Sequence, residues 1–165
     1  MYAFPGGTTA EYAFTEHEHR ELAPGLNRIH DVAAAGGSLA SPDLSIALLD
    51  TLDWLETILE PHASWEDRWL YPRIDALAGS SWATKLMRFE HQQIRAIARQ
   101  LEADWELLHR TPSADRTVEL RGRLFALEAL LRAHIEREER FLIPLLEGVD
   151  DKADRPAATI GAATG

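Results

Sequence analysis

The segment 62–72 reads HASWEDRWLYP, and the segment 134–144 reads HIEREERFLIP. Both begin with a histidine, carry a glutamate four residues later and end in Leu-x-Pro. The offset of 72 residues between them also separates His19 from His91, and a glutamate precedes each of these histidines. One helical hairpin is therefore present twice in this chain. Packing the two copies about a pseudo-twofold axis would bring both His-x-x-x-Glu pairs to the centre of the molecule.

Apolar residues recur at alternating steps of three and four in four long segments, which is the pattern of helices that bury one face. No segment shows the two-residue alternation of a strand, and 165 residues suit one domain. The sequence predicts an all-α fold, an antiparallel up-down-up-down four-helix bundle built from two duplicated helix hairpins. Its buried seams are His19, Leu22, Leu26, Ile29 and Ala33; Leu48, Leu52, Leu55, Leu59, His62, Glu66 and Trp69; His91, Ile94, Ala98, Leu101, Trp105 and Leu108; and Leu120, Leu124, Leu127, Leu131, His134, Glu138, Phe141 and Leu145.

Capping and turn residues predict where the helices begin and end. Thr15 and Glu18 have the spacing of a capping box, so the first helix is expected to begin at Thr15. The breaks between helices are expected at 36–43, 79–81 and 111–113. We therefore expect an N-terminal extension over 1–14, the bundle over 15–148 and a C-terminal tail over 149–165.

Composition excludes several classes of function. The chain has no cysteine, which removes disulfides, thiolate catalysis and zinc–thiolate sites. Its formal net charge of −10 would repel a phosphate backbone, so no nucleic-acid partner is expected. No apolar run approaches the roughly 18 residues that span a bilayer, and residues 1–14 lack the features of a signal peptide. A cytoplasmic protein without membrane contact is expected.

Six polar side chains interrupt the apolar seams, and each helix contributes at least one. A carboxylate inside an apolar bundle costs several kcal/mol unless a counter-charge compensates, and no lysine occurs in the seams. A single His-x-x-x-Glu pair on a helix is usually an exposed pair, but six such residues in register favour a cation bound in the interior. The sequence predicts a metal site formed by His19, His62, Glu66, His91, His134 and Glu138.

This set of residues resembles the hemerythrin-like, or HHE cation-binding, family. The family pattern is a histidine, His-x-x-x-Glu, a histidine and His-x-x-x-Glu on four successive helices, and the likeness covers about residues 15–146. The resemblance implies two non-haem iron ions bridged by oxo or hydroxo. One ion would take His19 and His62, the other would take His91 and His134, and Glu66 and Glu138 would be shared. Manganese or zinc also suits this donor set.

Two positions depart from the oxygen-carrying hemerythrins that the sequence otherwise resembles. Arg95 stands where those proteins have a second histidine on the third helix, which argues against simple oxygen transport. Glu138 and Glu139 offer two spacings from His134, and Glu138 is the predicted ligand because Glu66 mirrors it. Glu139 is expected to be a solvated acid. Arg95 is expected either to hydrogen-bond a bridging carboxylate or a bound anion, or to extend to solvent.

Other residues are expected to have supporting roles. Trp69 and Phe141 follow the glutamates by one turn and are expected to wall the metal chamber. His17 is expected at the surface, His30 outside any symmetric site and His109 near a helix end.

Three functions remain open at this point. The first is a di-iron protein that binds or senses dioxygen, peroxide or nitric oxide. The second is a peroxide-decomposing di-iron redox enzyme, and the third is a structural or signalling bundle that its metal stabilises. Whether the protein is an enzyme, which metal is native, how many chains assemble and whether there is a protein partner are not decided by the sequence.

Overall fold

The computed structural model describes residues 8–38, 41–111 and 113–147, and it is a four-helix bundle with no strand in those ranges. Helix α1 is Thr8–Ala35 and helix α3 is Trp82–Arg110. Helix α2 is continuous through the segments Ser41–Trp54, Leu55–Leu59, Glu60–Trp65, Glu66–Leu70 and Tyr71–Ala78. Helix α4 comprises Ala114–Arg137, Glu138–Leu142 and Pro144–Glu147. The predicted all-α bundle is confirmed.

The helices form a ring in which α1 and α3 each pack against both α2 and α4. The apolar core inside this ring consists of two clusters. A larger apolar cluster includes Leu26, Leu59 and Leu131, and a smaller one includes Leu70 and Leu142. The histidines and glutamates of α2 and α4 lie between these clusters in the chain, so apolar packing lies above and below the polar layer. No described helix is both long enough and apolar enough to cross a membrane.

Most predicted helix boundaries agree with the structure. Gly79 ends α2 with φ of 65°, a left-handed conformation that glycine adopts without steric cost. Ser113 caps α4 by accepting a hydrogen bond from the backbone N–H of Arg116. The start of α1 was predicted wrongly, because the helix begins at Thr8 and passes through the capping-box spacing at Thr15. The three-part domain division remains a prediction.

Within the described residues, three π-helical turns interrupt the long helices, and two of them begin at the seam glutamates. In these two turns, the backbone N–H of Tyr71 bonds to the carbonyl of Glu66 and that of Ile143 bonds to the carbonyl of Glu138. Proline follows each turn and has no N–H to donate. The carbonyl of Asp67, five residues before Pro72, instead accepts from the guanidinium of Arg88 at 2.7 Å.

These turns overturn one expectation from the apolar pattern. Trp69 and Phe141 do not wall the metal chamber, because their side chains are 55% and 62% exposed. A π turn bonds residues five apart instead of four, so it contains one more residue than an α turn and rotates the residues after it. Leu70 and Leu142 take the buried positions instead, and Leu146 is buried where Leu145 was expected.

Candidate metal centre

The structure brings all six predicted side chains together inside the bundle. Each is at most 7% exposed, and both glutamates are fully buried. One imidazole comes from every helix, and the two glutamates come from α2 and α4 at the start of their π turns. The six predicted residues therefore form one buried cluster at the level where the two repeats meet.

The carboxylate of Glu66 lies at the centre of the cluster. Its Oε1 is 3.0 Å from Nε2 of His62 and 3.5 Å from Nε2 of His19. Its Oε2 is 3.2 Å from Nε2 of His91. Two groups of three have donor atoms within 4.8 Å of one another, and Glu66 belongs to both: His19, His62 and Glu66, and Glu66, His91 and His134.

The two carboxylate oxygens of Glu138 have different neighbours, unlike those of Glu66, which both lie beside histidines. Its Oε2 lies 3.3 Å from Nε2 of His19 and 3.6 Å from Nε2 of His134. Its Oε1 accepts a short hydrogen bond from the hydroxyl of Tyr71. Only one oxygen of this carboxylate is therefore directed at the histidines alone.

Several buried atoms of the cluster have no hydrogen-bond partner. They are Nε2 of His19, both carboxylate oxygens of Glu66 and Oε2 of Glu138. Leaving a buried charged group without a partner is costly, so the local chemistry calls for a cation. Nitrogen and oxygen donors at the interior of a helical bundle suit iron, manganese or zinc. The residues present fit the cation that the sequence predicts.

A carboxylate lies beside the Nδ1 atom of each of the four histidines. Glu139 is 3.3 Å from His19, Asp67 is 3.1 Å from His91, and Glu90 is 3.0 Å from His134. The fourth contact is looser, with Glu18 at 4.0 Å from Nδ1 of His62. A carboxylate at Nδ1 keeps the proton on that nitrogen and leaves Nε2 available to a metal.

These four contacts obey the 72-residue repeat and always cross between neighbouring helices. Glu18 and Glu90 each precede a site histidine, and Asp67 and Glu139 each follow a site glutamate. The result is a closed ring of supporting contacts, from α1 to α4, α4 to α3, α3 to α2 and α2 to α1. Sequence reasoning did not find this ring, although the repeated acids next to the predicted ligands were a visible signal.

Tyr71 breaks the symmetry of the site. Its side chain is fully buried, it donates to Glu138, and its hydroxyl lies 3.4 Å from Nε2 of His91. The equivalent position in the second repeat is Ile143, which has no hydroxyl. Sequence reasoning missed Tyr71, and the signal was this one polar difference between two otherwise similar segments.

The buried carboxylates dominate the electrostatics of the cluster. Burial alone would lower the pKa of His19, but Glu138 and Glu66 outweigh it and raise that pKa to about 10. Burial would raise the pKa of Glu66, but the neighbouring imidazoles, His62 first, hold it well below its ordinary value. Burial and the charges of both glutamates raise the pKa of Tyr71 well above 10, so its hydroxyl stays protonated.

Arg95 does not reach the central carboxylates. Its guanidinium bonds to Glu60 at 2.8 and 3.0 Å and to Asp67 at 3.1 Å. It therefore acts through Asp67, the acid beside His91. Glu139 is half exposed, as expected of a solvated acid, but it also contacts His19.

Of the remaining histidines, the structure describes the side chain of His30, which lies away from the six-residue cluster. Nδ1 of His30 is 2.9 Å from Glu128, on the outer part of the bundle. The side chains of His17 and His109 lie outside the part of the chain that the structure describes.

A model of the family described as hemerythrin HHE cation binding domain matches residues 11–146. That range is most of the chain, so the chain belongs to this family, and the resemblance seen in the sequence is confirmed. No curated protein and no solved structure matches the chain. Family membership and the buried His/Glu groups together indicate a cation-binding protein.

Proposed function

We propose that this hemerythrin HHE protein holds two iron ions between its two helical hairpins and that it binds or senses dioxygen, peroxide or nitric oxide. The observation that carries the proposal is the set of buried, unpartnered donor atoms on His19, Glu66 and Glu138. Buried carboxylate oxygens that accept no hydrogen bond are stabilised most directly by cations. Two groups of donors that share Glu66 favour two ions over one.

The residues would divide between the ions in the order of the repeat. His19 and His62 would hold one ion, and His91 and His134 the other. Glu66 can face both ions, since its two oxygens lie beside different histidines. Glu138 would bind through Oε2, with Oε1 held by Tyr71. The same donors also suit manganese or zinc.

Bound iron would supply open coordination positions and electrons for a small oxidant, because the protein offers fewer donors than two six-coordinate ions need. The chain's own residues orient the ligands and enclose the site layer above and below. The carboxylates at Nδ1 fix each imidazole with Nε2 inward, and apolar clusters pack above and below the layer. Tyr71 keeps one oxygen of Glu138 occupied and makes the two ion positions inequivalent.

The test is anaerobic reconstitution of the metal-free chain with ferrous iron, followed by metal analysis and exposure to air, peroxide or nitric oxide. We expect two irons per chain and new near-ultraviolet absorption on exposure to the oxidant. Glu66→Gln should lower the stoichiometry, and Glu119→Gln, at an exposed acid on α4, is the matched control. Retention of fewer than one iron per chain by the unsubstituted protein would overturn the proposal.

One observation favours the peroxide-decomposing alternative. A cavity that opens to solvent reaches His62, His91 and His134, so a substrate has a route to the site. Iron-dependent release of oxygen from peroxide would distinguish an enzyme from a sensor. If chelation lowers the melting temperature but the loaded protein responds to no oxidant, the metal has a structural or signalling role instead.

A further inference from the structure

A cavity of about 330 Å³ lies between α2 and α3. Its inner end is formed by three of the four site histidines, His62, His91 and His134. Its walls are mostly aliphatic: Leu22, Leu52, Leu55, Leu59, Ile94 and Leu131. Charged side chains line it only towards the outer face of the two helices. The space is thus an apolar chamber with one end at the candidate metal centre.

The two repeats differ at wall positions of this cavity, and one of these positions is on α3. Ala98 lines it on α3, and the equivalent residue 72 positions earlier is Leu26 on α1. Leu26 is buried in the core, so the α1–α4 seam is filled where the α2–α3 seam is open. Replacing leucine by alanine at a core position leaves unfilled volume.

The residues at the mouth of the cavity also differ from their equivalents in the other repeat. On the α1–α4 side, His30 bonds to Glu128 at 2.9 Å and links the two helices. The equivalent residues on the α2–α3 side are Glu102 and Glu56, two acids that both line the cavity. Two carboxylates cannot form that bridge, and like charges repel. The α2–α3 seam therefore lacks a bridge at this pair of positions, although Arg95 and Glu60 connect the two helices elsewhere along the cavity.

A π-helical turn without a counterpart borders the same cavity. The turn Leu55–Leu59 supplies three lining residues, Leu55, Glu56 and Leu59. The equivalent residues 127–131 lie in regular α-helix, and Pro61 near the turn is replaced by Ala133 in the second repeat. Single π turns inside α-helices occur frequently at functional sites. The backbone, the wall residues and the mouth residues of this one cavity thus all differ from their equivalents in the other repeat.

The size and lining of the cavity indicate its occupant. Pockets for small molecules begin at roughly 300 Å³, and an apolar cavity of roughly 150 Å³ in another protein binds benzene. A diatomic gas or peroxide needs far less space.

The mouth of the cavity is acidic. Glu56 and Glu102 make no ion pair with any described residue, and Asp53 and Glu106 lie in an adjoining surface pocket. Arg95 is engaged by Glu60 and Asp67, which leaves Arg99 as the one basic side chain of the lining without a described ion pair.

We propose that this cavity binds a small organic molecule with an apolar body and a neutral or cationic head group. The body lies along the aliphatic walls with its end towards the site histidines, and the head group lies at the acidic mouth. This inference goes beyond the proposed function and does not depend on it, since the walls are formed by the protein whether or not a cation is bound.

The test uses a series of n-alkanols titrated into the full-length protein as purified, with binding measured by calorimetry. We expect affinity to rise about fourfold for each added methylene until the chain fills the cavity, and then to stop rising. The same series on protein loaded with iron, and on protein treated with chelator, separates this inference from the proposed function. Absence of saturable alkanol binding in both preparations would overturn the inference and leave the metal proposal untouched.

Two variants rebuild features of the filled seam. Ala98→Leu should shorten the best-bound alkanol by about three carbons, because it adds three carbon atoms to the wall. Glu102→His should bridge to Glu56 and weaken the binding of every alkanol. Ala103→Leu, on the exposed side of α3, is the matched control and should change nothing. Unchanged alkanol affinities in both folded variants would contradict the assignment of the cavity.

The head group is tested at constant chain length. Octanoate should bind roughly fivefold or more weakly than octanol, because its carboxylate approaches the mouth acids. Octylamine should bind at least as tightly as octanol. Tighter binding of octanoate than of the other two would overturn the assigned head-group preference.

Discussion

Oε2 of Glu90 lies 3.0 Å from Nδ1 of His134, a residue on the neighbouring helix, while Oε1 of the same carboxylate accepts from Arg137. The contact is almost wholly buried. Glu90 therefore orients a candidate ligand without belonging to the six predicted donors. Each of the other three site histidines has an acid beside its Nδ1 in the same way. A substitution at Glu90 therefore tests the role of this type of contact.

Glu90→Gln should weaken iron binding by about 10- to 100-fold, because it removes the charge that supports the His134 imidazole. The measurement is competition for ferrous iron with a chelator of known affinity. Glu119→Gln is the control, since Glu119 is exposed and, among the described residues, pairs with Arg123 on its own helix. Equal affinities for the two variants would show that the Nδ1 contact does not support a metal ligand.

Tyr71→Phe should destabilise the metal-free protein by about 1–3 kcal/mol, because Oε1 of Glu138 would lose its donor inside the bundle. Urea denaturation of the metal-free protein measures this free energy. The comparison is Thr51→Val, which removes a buried hydroxyl bonded to the backbone carbonyl of Ala47. That carbonyl also belongs to the helix, so this cost should be smaller, and a larger cost for Thr51→Val would contradict the prediction.

Removal of the cation should lower thermal stability. A ligand present at 100 times its Kd stabilises the folded state by about 2.7 kcal/mol, which corresponds to a loss of about 5–11 °C on chelation for a chain of this size. Differential scanning calorimetry before and after chelation measures it, and adding iron back should restore the melting temperature. An unchanged melting temperature would mean that the buried carboxylates are not balanced by a bound ion.

Gly25→Ala should destabilise the protein by about 1–3 kcal/mol, because a Cβ at this position would lie 1.9 Å from the buried indole ring of Trp54. Gly122→Ala is the matched control in another helix, since nothing lies within 4 Å of its added Cβ. There the better helix propensity of alanine should stabilise by about 1 kcal/mol. Urea denaturation of both variants should show opposite signs, and stabilisation by Gly25→Ala would contradict the packing of α1 on α2.

Leu70→Ala should destabilise the protein by about 2–5 kcal/mol, whereas Trp69→Ala should cost about 1 kcal/mol or less. The π turn at Glu66 buries Leu70 and exposes most of Trp69. Without that turn the regular seam would bury Trp69 and the order would be reversed. Denaturant unfolding of the two variants therefore reports the helical register just beyond the site.

Much of the fold could be predicted from the sequence because its determinants are local. The three-and-four spacing of leucines selects helix whatever the rest of the chain does, and Gly79 and Ser113 end or begin helices through their own backbone and side-chain chemistry. The 72-residue repeat then pairs the helices. Six polar residues on those seams had to meet in the interior, and the structure places them together.

The errors and omissions occur where packing between helices overrides a local pattern. A regular seam predicted Trp69 and Phe141 at the chamber, but the π turns at Glu66 and Glu138 rotate them outward. The start of α1 at Thr8 was missed because the capping box at Thr15 is only a local preference.

By itself the sequence determined the helical class, the duplication and which six polar side chains face inward, since each follows from residue type and spacing along one chain. Only the tertiary structure decided which acid supports which histidine, that Tyr71 occupies one oxygen of Glu138, and that Ala98 leaves a cavity where Leu26 fills the other seam. These features are contacts between helices distant in sequence. Their geometry depends on how far each helix is rotated about its own axis, and a single extra residue in a turn changes that rotation.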